Sequence, residues 1–332
     1  MTNPTTPVVS IIMPMYNAER YVVAALRSVL QERNILLEVI VINDRSTDAS
    51  LKEVHKVNDK RVRVLNNNGK GIADALNTGL QAARGRIITR CDADDLYPAK
   101  RIAQQAEWLV HHPNFGAVCG NYGAINSRGQ QIILFDCGSI AEEVTSELQS
   151  GKTRTHFCTF AIRTEALREI GGFRQYFLTG EDVDLQLRLG DICRVWYLPD
   201  TYYHYRLHST SVTHTKSSTE REFFDFVARE FQLQRRSQGV DDIQRGCPPP
   251  LPKKHDKAPL SAAQHIQNFL LGRAWQEYQQ GQTLQALMTG LRSLLTLPTN
   301  VKIWRSLLAL SLKSVSLGIV SSINQPVILD RK

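Results

Sequence analysis

Short runs rich in valine and isoleucine alternate with amphipathic helical patterns through most of the N-terminal two thirds of this chain. The alternation is typical of βα units, which build a mostly parallel sheet covered by helices. It predicts strands at residues 8–13, 37–42, 62–65 and 86–91, and helices at 19–31, 48–57, 72–83 and 100–112. Two antiparallel strands, 117–126 and 131–135, are expected around the turn Ser127-Arg128-Gly129. We therefore expect an α/β fold with a mixed sheet flanked by helices.

Three carboxylates follow the fourth predicted strand. Asp92, Asp94 and Asp95 lie so close together at a strand end that their mutual repulsion needs compensation. A divalent metal bound together with a phosphate would supply the positive charge. The alternative is a loop whose acidic residues cap the next helix, and the triplet alone does not decide between the two.

Polar residues also follow the first two predicted strands. Tyr16 comes after the first strand, and Asp44 comes directly after the second. In an open α/β sheet, ligands bind at the carboxyl edge of the strands. An aspartate there can accept a hydrogen bond from the N3–H of uracil, and an aromatic ring can flank the base. Asp48 and Ser46 are better interpreted as caps of the following helix.

The composition favours a folded protein of the cytoplasm. The chain has 332 residues, of which 42% are hydrophobic, enough to bury a sizeable core. Its six cysteines include no CxxC pair and no zinc-finger spacing, which favours reduced thiols. The sequence shows no signal-peptide pattern and no apolar run of the roughly 18 residues that a membrane span needs.

The net charge of +8 is concentrated near the C-terminus. Residues 1–244 carry 29 basic and 29 acidic residues, whereas residues 245–332 carry 11 basic and 3 acidic ones. A nucleic-acid enzyme more usually spreads positive charge over its active face, so nucleic acid is not expected as a partner. A neutral body with a basic tail suggests that the tail meets a negative surface.

After residue 215 the alternating strand and helix patterns give way to helical patterns and a proline-rich stretch. This change in pattern predicts three domains. These are an N-terminal α/β domain at 1–218, a helix with a proline-rich linker at 219–260, and a basic helical region at 261–332. Helices are expected at residues 220–236, 262–280, 283–297 and 301–318. The C-terminal helices would form a small appendage to the α/β domain.

The last predicted helix is basic and amphipathic. One side carries Lys302, Arg305, Ser306, Lys313 and Ser316, and the other carries mostly Trp304, Leu307, Leu308 and Val315. Such a helix can lie in the headgroup region of an anionic membrane, which would make the protein peripheral at the inner face of the cytoplasmic membrane. Alternatively, it packs on the two preceding helices as an ordinary bundle.

Seven short motifs occur in order along the chain. They are V-S-I-I-M-P-M-Y-N at 9–17, V-I-N-D-R-S-T-D at 41–48, N-x-G-x-G-I-A-D-A-L-N-T-G at 67–79, D-A-D-D at 92–95, G-G-F at 171–173, G-E-D-V-D-L at 180–185 and Y-R-L-H-S-T-S at 205–211. In this order and with these gaps, residues 8–215 resemble the family 2 glycosyltransferases. These are inverting enzymes that use nucleotide-activated sugars, and their GT-A fold is a Rossmann-like mixed sheet.

The resemblance implies roles for residues at the expected sheet edge. The donor-binding residues would be Pro14, Tyr16, Glu19, Asp44, Asp92 and Asp94. Asp94 would hold Mn²⁺ or Mg²⁺, which neutralises the charge that builds on the leaving diphosphate. His208 would complete the metal shell, although a lone histidine can also be purely structural. Asp92 would contact the ribose or the waters of the metal, and Asp95 would begin the next helix.

Inversion also needs a base that takes the proton from the acceptor hydroxyl. The Glu-Asp pair of the family matches Glu181 and Asp182, so Asp182 is expected to be the base and Glu181 to orient the acceptor or the base. The alternative is a helix N-terminus that merely carries acidic residues. Arg206 could pair with the diphosphate or with a carboxylate of the sheet edge, and the sequence leaves both open.

Two departures from the family pattern bear on these expectations. Arg45 stands where glycine is frequent, so the turn after the second strand must avoid positive φ or tolerate strain. The Q-x-x-R-W motif of the processive members is absent, which favours transfer of a single sugar per encounter.

The function implied by the resemblance is transfer of one sugar from a nucleotide sugar, expected to be UDP-linked, to a glycan, lipid-linked or protein acceptor. Such an enzyme would act in the synthesis of cell-envelope polysaccharide or glycoconjugates. A catalytically decayed scaffold protein is one alternative. A sugar-phosphate nucleotidyltransferase is the other, although residues 8–20 lack the glycine-rich basic loop that it would need.

Overall fold

The computed structural model describes residues 6–208, 218–252 and 261–323 of the chain. Within these residues the chain divides into two compact units. The first comprises residues 6–206 and 218–252, and the second comprises residues 207–208 and 261–323. The first unit contains the sheet, and the second consists mainly of helices.

The first unit is built on a nine-stranded sheet. Its strands are β1 (Val9–Met15), β2 (Leu37–Asn43), β3 (Val62–Asn66), β4 (Ile87–Arg90), β5 (Phe115–Ile125), β6 (Gln131–Phe135), β7 (Glu142–Glu143), β8 (Ala161–Arg163) and β9 (Arg194–Arg206). The strand order is β3-β2-β1-β4-β8-β5-β9-β7, with β6 paired to β5. Because β8 runs antiparallel to both β4 and β5, the sheet is mixed, which confirms the predicted fold class.

Helices cover both faces of this sheet. They are α1 (Val22–Leu30), α2 (Ser50–Val57), α3 (Ile72–Ala82), α4 (Arg101–His111), α5 (Thr145–Gln149), α6 (Thr164–Glu169), α7 (Glu181–Ile192) and α8 (Ser218–Gln238). Successive residues of a strand point to opposite faces, so Met13 of β1 belongs to a core that includes residues of α1 and α4, and Ile12 belongs to a second core that includes residues of α3 and α7. A Cβ added to Gly79 of α3 would lie 2.4 Å from Ile12 Cγ2, so glycine permits this close approach.

The strand directions bring distant segments to one edge of the sheet. Strands β1, β2 and β4 are parallel, so their carboxyl ends at Met15, Asn43 and Arg90 lie side by side. Strand β8 reverses the direction relative to β4, and β5 reverses it again. Strand β9 is parallel to β5 and therefore also ends at this edge, at Arg206.

An ion-pair cluster around Asp184 fixes α7. The Asp184 carboxylate is fully buried and accepts from Arg188 at 2.8 Å and from Arg174 at 3.5 Å. Arg188 also donates to the carbonyl oxygens of Ile170 and Gly172. Because the charge is paired and hydrogen-bonded, its burial is tolerated, and the cluster ties α7 to the segment that precedes it.

The second unit contains α9 (Ala262–Gln279), α10 (Thr283–Thr296) and α11 (Val301–Ile323), so the predicted helical appendage is confirmed. Its core includes Ala274, Ala286 and Leu310, one residue from each helix. No helix in the described part of the chain combines the length and the apolar character of a membrane span. Motif residues 209–211 and linker residues 253–260 lie outside the described residues, as do the side chains at positions 313, 315 and 316 of α11.

A buried carboxylate joins three strands at the opposite edge of the sheet. Glu38 of β2 accepts from Arg63 at 2.7 Å, from Arg84 at 2.8 Å and from the Ser10 hydroxyl at 2.8 Å. Burial alone would raise the pKa of Glu38, but the hydrogen bonds from Arg84, Arg63 and Ser10 outweigh it and hold the pKa below its usual value. The ionised form of Glu38 therefore stabilises the fold.

We predict that Glu38→Gln lowers the free energy of unfolding by about 1–3 kcal/mol, because Arg63 and Arg84 lose a charged acceptor. The loss should be largest at neutral pH. It should shrink as the pH falls through the pKa of folded Glu38, because the protonated carboxyl resembles the amide. Urea unfolding over a pH series measures both effects. Glu53→Gln removes an exposed pair with Lys56 and should cost less than about 0.5 kcal/mol. Equal losses in the two variants would contradict the prediction.

Candidate active site

Arg90, the last residue of β4, binds two acidic segments at once. Its Nε and Nη2 donate to the two carboxylate oxygens of Asp92 at 2.7 and 3.0 Å. Its Nη1 donates to Oε1 of Glu181, the first residue of α7, at 3.1 Å. All three side chains are largely buried. A bidentate arginine–carboxylate pair is strong and directional, so Arg90 fixes Asp92 relative to the N-terminus of α7.

Asp95 is buried against β9. Its carboxylate accepts from the Tyr203 hydroxyl and from the backbone N–H of Arg206, both at 2.6 Å. The Tyr203 hydroxyl in turn accepts from the backbone N–H of Asp92 at 3.1 Å. Burial raises the pKa of Asp95, and the charges of Asp94 and Asp92 raise it further. The expectation that Asp95 begins the next helix is wrong, because these bonds take up its carboxylate and α4 begins only at Arg101.

Arg206 binds the acidic loop through the main chain. Its Nε donates to the carbonyl oxygen of Asp94, and its Nη1 donates to the carbonyl oxygens of Asn126 and Ser127. The guanidinium carbon lies 4.8 Å from the ring centroid of Tyr21. The side chain therefore holds the loop after β4 against the turn between β5 and β6.

The two acidic residues that open α7 have different surroundings. Glu181 is buried on Arg90, whereas Asp182 is half-buried and its Oδ1 accepts from the N–H of Val183 at 3.0 Å. Burial raises the pKa of Glu181 to about 7, the charge of Asp182 adds to this effect, and Arg90 opposes it. Glu181 is thus bound in an ion pair with Arg90, whereas Asp182 keeps part of its side chain exposed.

A histidine outside the sequence motifs adjoins this pair. The ring of His156 stacks on Tyr203, with 5.8 Å between the ring centroids, and Tyr122 and Tyr205 flank it. Its Nδ1 accepts from the N–H of Cys158 at 3.3 Å. Burial lowers the pKa of His156, and the nearby charge of Asp182 acts in the opposite direction. Its environment thus favours a neutral imidazole beside Asp182.

Parts of the chain are similar to known proteins. Residues 10–171 match the family model described as Glycosyl transferase family 2. The UDP-Glc:alpha-D-GlcNAc-diphosphoundecaprenol beta-1,3-glucosyltransferase WfgD of Escherichia coli is 38% identical over 121 residues, 36% of this chain and 47% of that protein. The putative glycosyltransferase EpsE of Bacillus subtilis (strain 168) is 31% identical over 194 residues, 55% of this chain and 66% of that protein. Residues 10–171 belong to glycosyltransferase family 2.

The fold agrees with this family assignment. The structure is similar to the crystal structure of S. aureus TarS 1–349 in complex with UDP-GlcNAc, with a TM-score of 0.59 and 20% sequence identity. The match covers 71% of this chain and 69% of the TarS chain. This similarity confirms the predicted GT-A fold. The chondroitin synthase of Pasteurella multocida (strain Pm70) matches 70% of this chain at 26% identity, but the match covers only 24% of that protein. The chain therefore spans less than half of the length of WfgD and about a quarter of the length of this chondroitin synthase.

The loops after β1 and β2 carry further residues that are predicted to bind the donor. Tyr16 is 62% exposed. Asp44 accepts from the Asn67 side chain and from the N–H of Gly71, both at 2.8 Å. Arg45 has a φ of 61°, so the turn tolerates a strained conformation instead of avoiding positive φ. Asp44 is held in place by the loop before α3, and its contact with a donor base stays a prediction.

Glu19 and Asp48 join the same two loops. Asp48 accepts from the N–H of Glu19 at 3.0 Å and from the N–H of Ser50 at 2.9 Å, and Glu19 accepts from the N–H of Ala49 at 2.8 Å. Pro14 lies buried within β1 and pairs with Ile42. These hydrogen bonds join the loops after β1 and β2, and the roles of Pro14 and Glu19 in donor binding stay predictions.

The two predicted metal ligands belong to different units. Asp94 is half-buried in the loop after β4, whereas His208 is buried just after β9 and groups with the second unit. Among the described residues, no three His, Cys, Asp or Glu side chains are arranged as a metal centre. A carboxylate such as that of Asp94 suits Mg²⁺ or Mn²⁺ when diphosphate oxygens and waters supply the other ligands. The site therefore fits a metal that binds with the donor.

Glu181→Gln tests the pKa of the buried glutamate. Folded Glu181 keeps its proton up to about pH 7, whereas the unfolded chain releases it near the ordinary value of 4.5. Ionisation at higher pH therefore favours unfolding of the wild type, and glutamine cannot ionise. We predict that the stability of the wild type relative to Glu181→Gln falls by on the order of 3 kcal/mol between about pH 5 and about pH 8.

Urea unfolding at both pH values measures this difference. Glu107→Gln, at an exposed position of α4, is the matched control and should follow the wild type at both. A constant difference between wild type and Glu181→Gln across this range would show that Glu181 titrates normally in the folded protein.

Proposed function

We propose that the protein is an inverting glycosyltransferase that moves a single sugar from a UDP-linked donor to a glycan, lipid-linked or protein acceptor in cell-envelope synthesis. Family membership supports the reaction class. The name of one relative specifies UDP-Glc and a diphosphoundecaprenol-linked acceptor, and TarS was crystallised with UDP-GlcNAc. The observation that carries the proposal is the Arg90 bridge, which joins Asp92 on the donor side to the Glu181–Asp182 pair on the acceptor side.

On the donor side, the residues that follow β1, β2 and β4 have complementary tasks. Tyr16 flanks the base, and Asp44 accepts from the N3–H of uracil. Arg90 orients the Asp92 carboxylate toward the ribose hydroxyls. Asp94 would hold Mn²⁺ or Mg²⁺, and this cation would supply positive charge to offset the charge of the leaving diphosphate. Because Arg206 and Tyr203 bind the backbone of this loop, Asp92 and Asp94 need little reorganisation when the donor binds.

On the acceptor side, Asp182 removes the proton of the attacking hydroxyl. The oxygen then forms a bond to the anomeric carbon as the bond to the diphosphate breaks on the opposite face, which inverts the configuration. Glu181 is a positioning residue, because its bond to Arg90 fixes the first turn of α7. His156 stacks on the buried Tyr203 ring and interacts electrostatically with Asp182.

We predict that Asp182→Asn lowers kcat by at least about 100-fold, because an amide cannot accept the proton. Donor binding should remain near the wild-type value. Asp94→Asn should instead lose the Mn²⁺-dependent part of donor binding. Release of UDP from a panel of UDP-sugars and the thermal shift with and without Mn²⁺ measure the two effects.

Asp225→Asn is the control for these substitutions, because Asp225 lies on α8 and pairs with Arg229. It should leave turnover and donor binding unchanged. Full turnover of Asp182→Asn would reject the assignment of the base. If no nucleotide sugar shifts the melting temperature with or without Mn²⁺, the chain is a decayed scaffold and the proposed transfer is wrong.

A further inference from the structure

Two helices of the second unit expose apolar stripes. Large apolar side chains that are at least half exposed lie at four positions of α10 and four of α11, namely Leu284, Met288, Leu291, Leu295, Val301, Trp304, Leu308 and Leu312. Spacings of three and four residues place each set along one face of its helix. Scattered exposed leucines need no explanation, but two such stripes on neighbouring helices mark an interaction surface.

The same helices also have buried apolar faces. Ala286 and Leu294 of α10 and Ile303 and Leu310 of α11 are buried in the unit. In an ordinary bundle, the face opposite the core is polar. Both helices instead have two apolar faces. Packing within the bundle explains the buried face of each helix but not the exposed one. On α11, Leu307 packs toward the core, whereas Trp304 and Leu308 face away from it.

The charged residues beside the exposed apolar stripes are all positively charged. Arg292, Lys302 and Arg305 are exposed, and no ion pair within the described residues involves them. Between residues 261 and 323 the sequence holds a single acidic residue, Glu277, which is buried and bonded to Arg273. The surface is therefore apolar along its centre and cationic beside it.

We propose that this surface of α10 and α11 binds an anionic lipid bilayer. The apolar side chains would enter the boundary between headgroups and acyl chains, while the three cations contact lipid phosphates. Trp304 suits this boundary because its large ring is apolar and its N–H is satisfied by the carbonyl of Pro298 at 2.8 Å. A second copy of the chain fits less well, because pairing two such faces would bring like charges together.

Co-sedimentation of the full chain with vesicles tests this proposal. We expect binding to vesicles of equal parts phosphatidylcholine and phosphatidylglycerol, weaker binding to phosphatidylcholine alone, and release by salt. The double variant Trp304→Gln/Leu308→Gln should partition at least about tenfold less, because two large apolar side chains are lost. Lys302→Gln/Arg305→Gln should lose about tenfold on the anionic vesicles only.

The matched control is Phe226→Gln/Leu233→Gln. These residues are 61% and 59% exposed on α8 of the first unit, so the substitutions remove a similar apolar exposure. This variant should bind vesicles like the wild type. Thermal unfolding of all variants checks that each remains folded.

Two results would overturn the proposal. One is a wild-type protein that stays in the supernatant with the anionic vesicles, or that binds no better than Trp304→Gln/Leu308→Gln. The other is a dimer in light scattering that dissociates with the same two substitutions, in a protein that does not bind vesicles. That second result would assign the surface to another copy of the chain.

Discussion

The buried ion pairs of Arg90 are the interaction on which the site depends. Three acidic residues follow the end of β4, and their negative charge needs a positive partner. Arg90, the last residue of the same strand, supplies that charge. The same guanidinium reaches Glu181, so the loop after β4 and the first turn of α7 cannot move independently. Removing one partner of such a buried network leaves an uncompensated charge, which costs about 3–5 kcal/mol. Arg90 thus compensates the negative charge at the end of β4, and the same side chain joins the loop after β4 to the start of α7.

The topology of the sheet explains why a second set of contacts supports the same loop. Because β8 reverses direction between β4 and β5, the last residues of β9 arrive at the carboxyl edge of β4. Tyr203 and the backbone of Arg206 can then bind Asp95, while the Arg206 side chain holds the main chain at Asp94. The acidic loop is therefore fixed from both sides, by β9 and by α7. Contacts with strands and a helix hold this loop in one conformation. Such rigidity suits the proposed function, in which the site positions a diphosphate and a hydroxyl together.

The sequence predicts those features that rest on local pattern. Strands β1 to β4 follow from their buried β-branched runs, and the Glu181–Asp182 pair follows from the family motif. The assignment of Asp95 to a helix start fails because bonds to β9, far away in sequence, outweigh a local capping preference. Arg90 has a recognisable signal, a cation at the end of an apolar strand next to three acids. His156 has no such sequence signal, because it is a single histidine outside the motifs. Only the structure, which stacks it on Tyr203, shows that it lies near the site. Helical periodicity likewise indicates that α11 is amphipathic, but not that it is apolar on two faces.

The division of the acidic pair at α7 favours Asp182 over Glu181 as the base. A base must reach the acceptor hydroxyl and be ionised before attack, and it must be able to move its proton on afterwards. Glu181 meets the first of these conditions poorly, since it is buried and bound to Arg90. Asp182 is half-buried instead, and its carboxylate accepts from the N–H of Val183 in the same helix turn. In the proposed mechanism Glu181 therefore serves as a buried anchor that fixes the first turn of α7 through Arg90, and Asp182 takes up the proton of the acceptor.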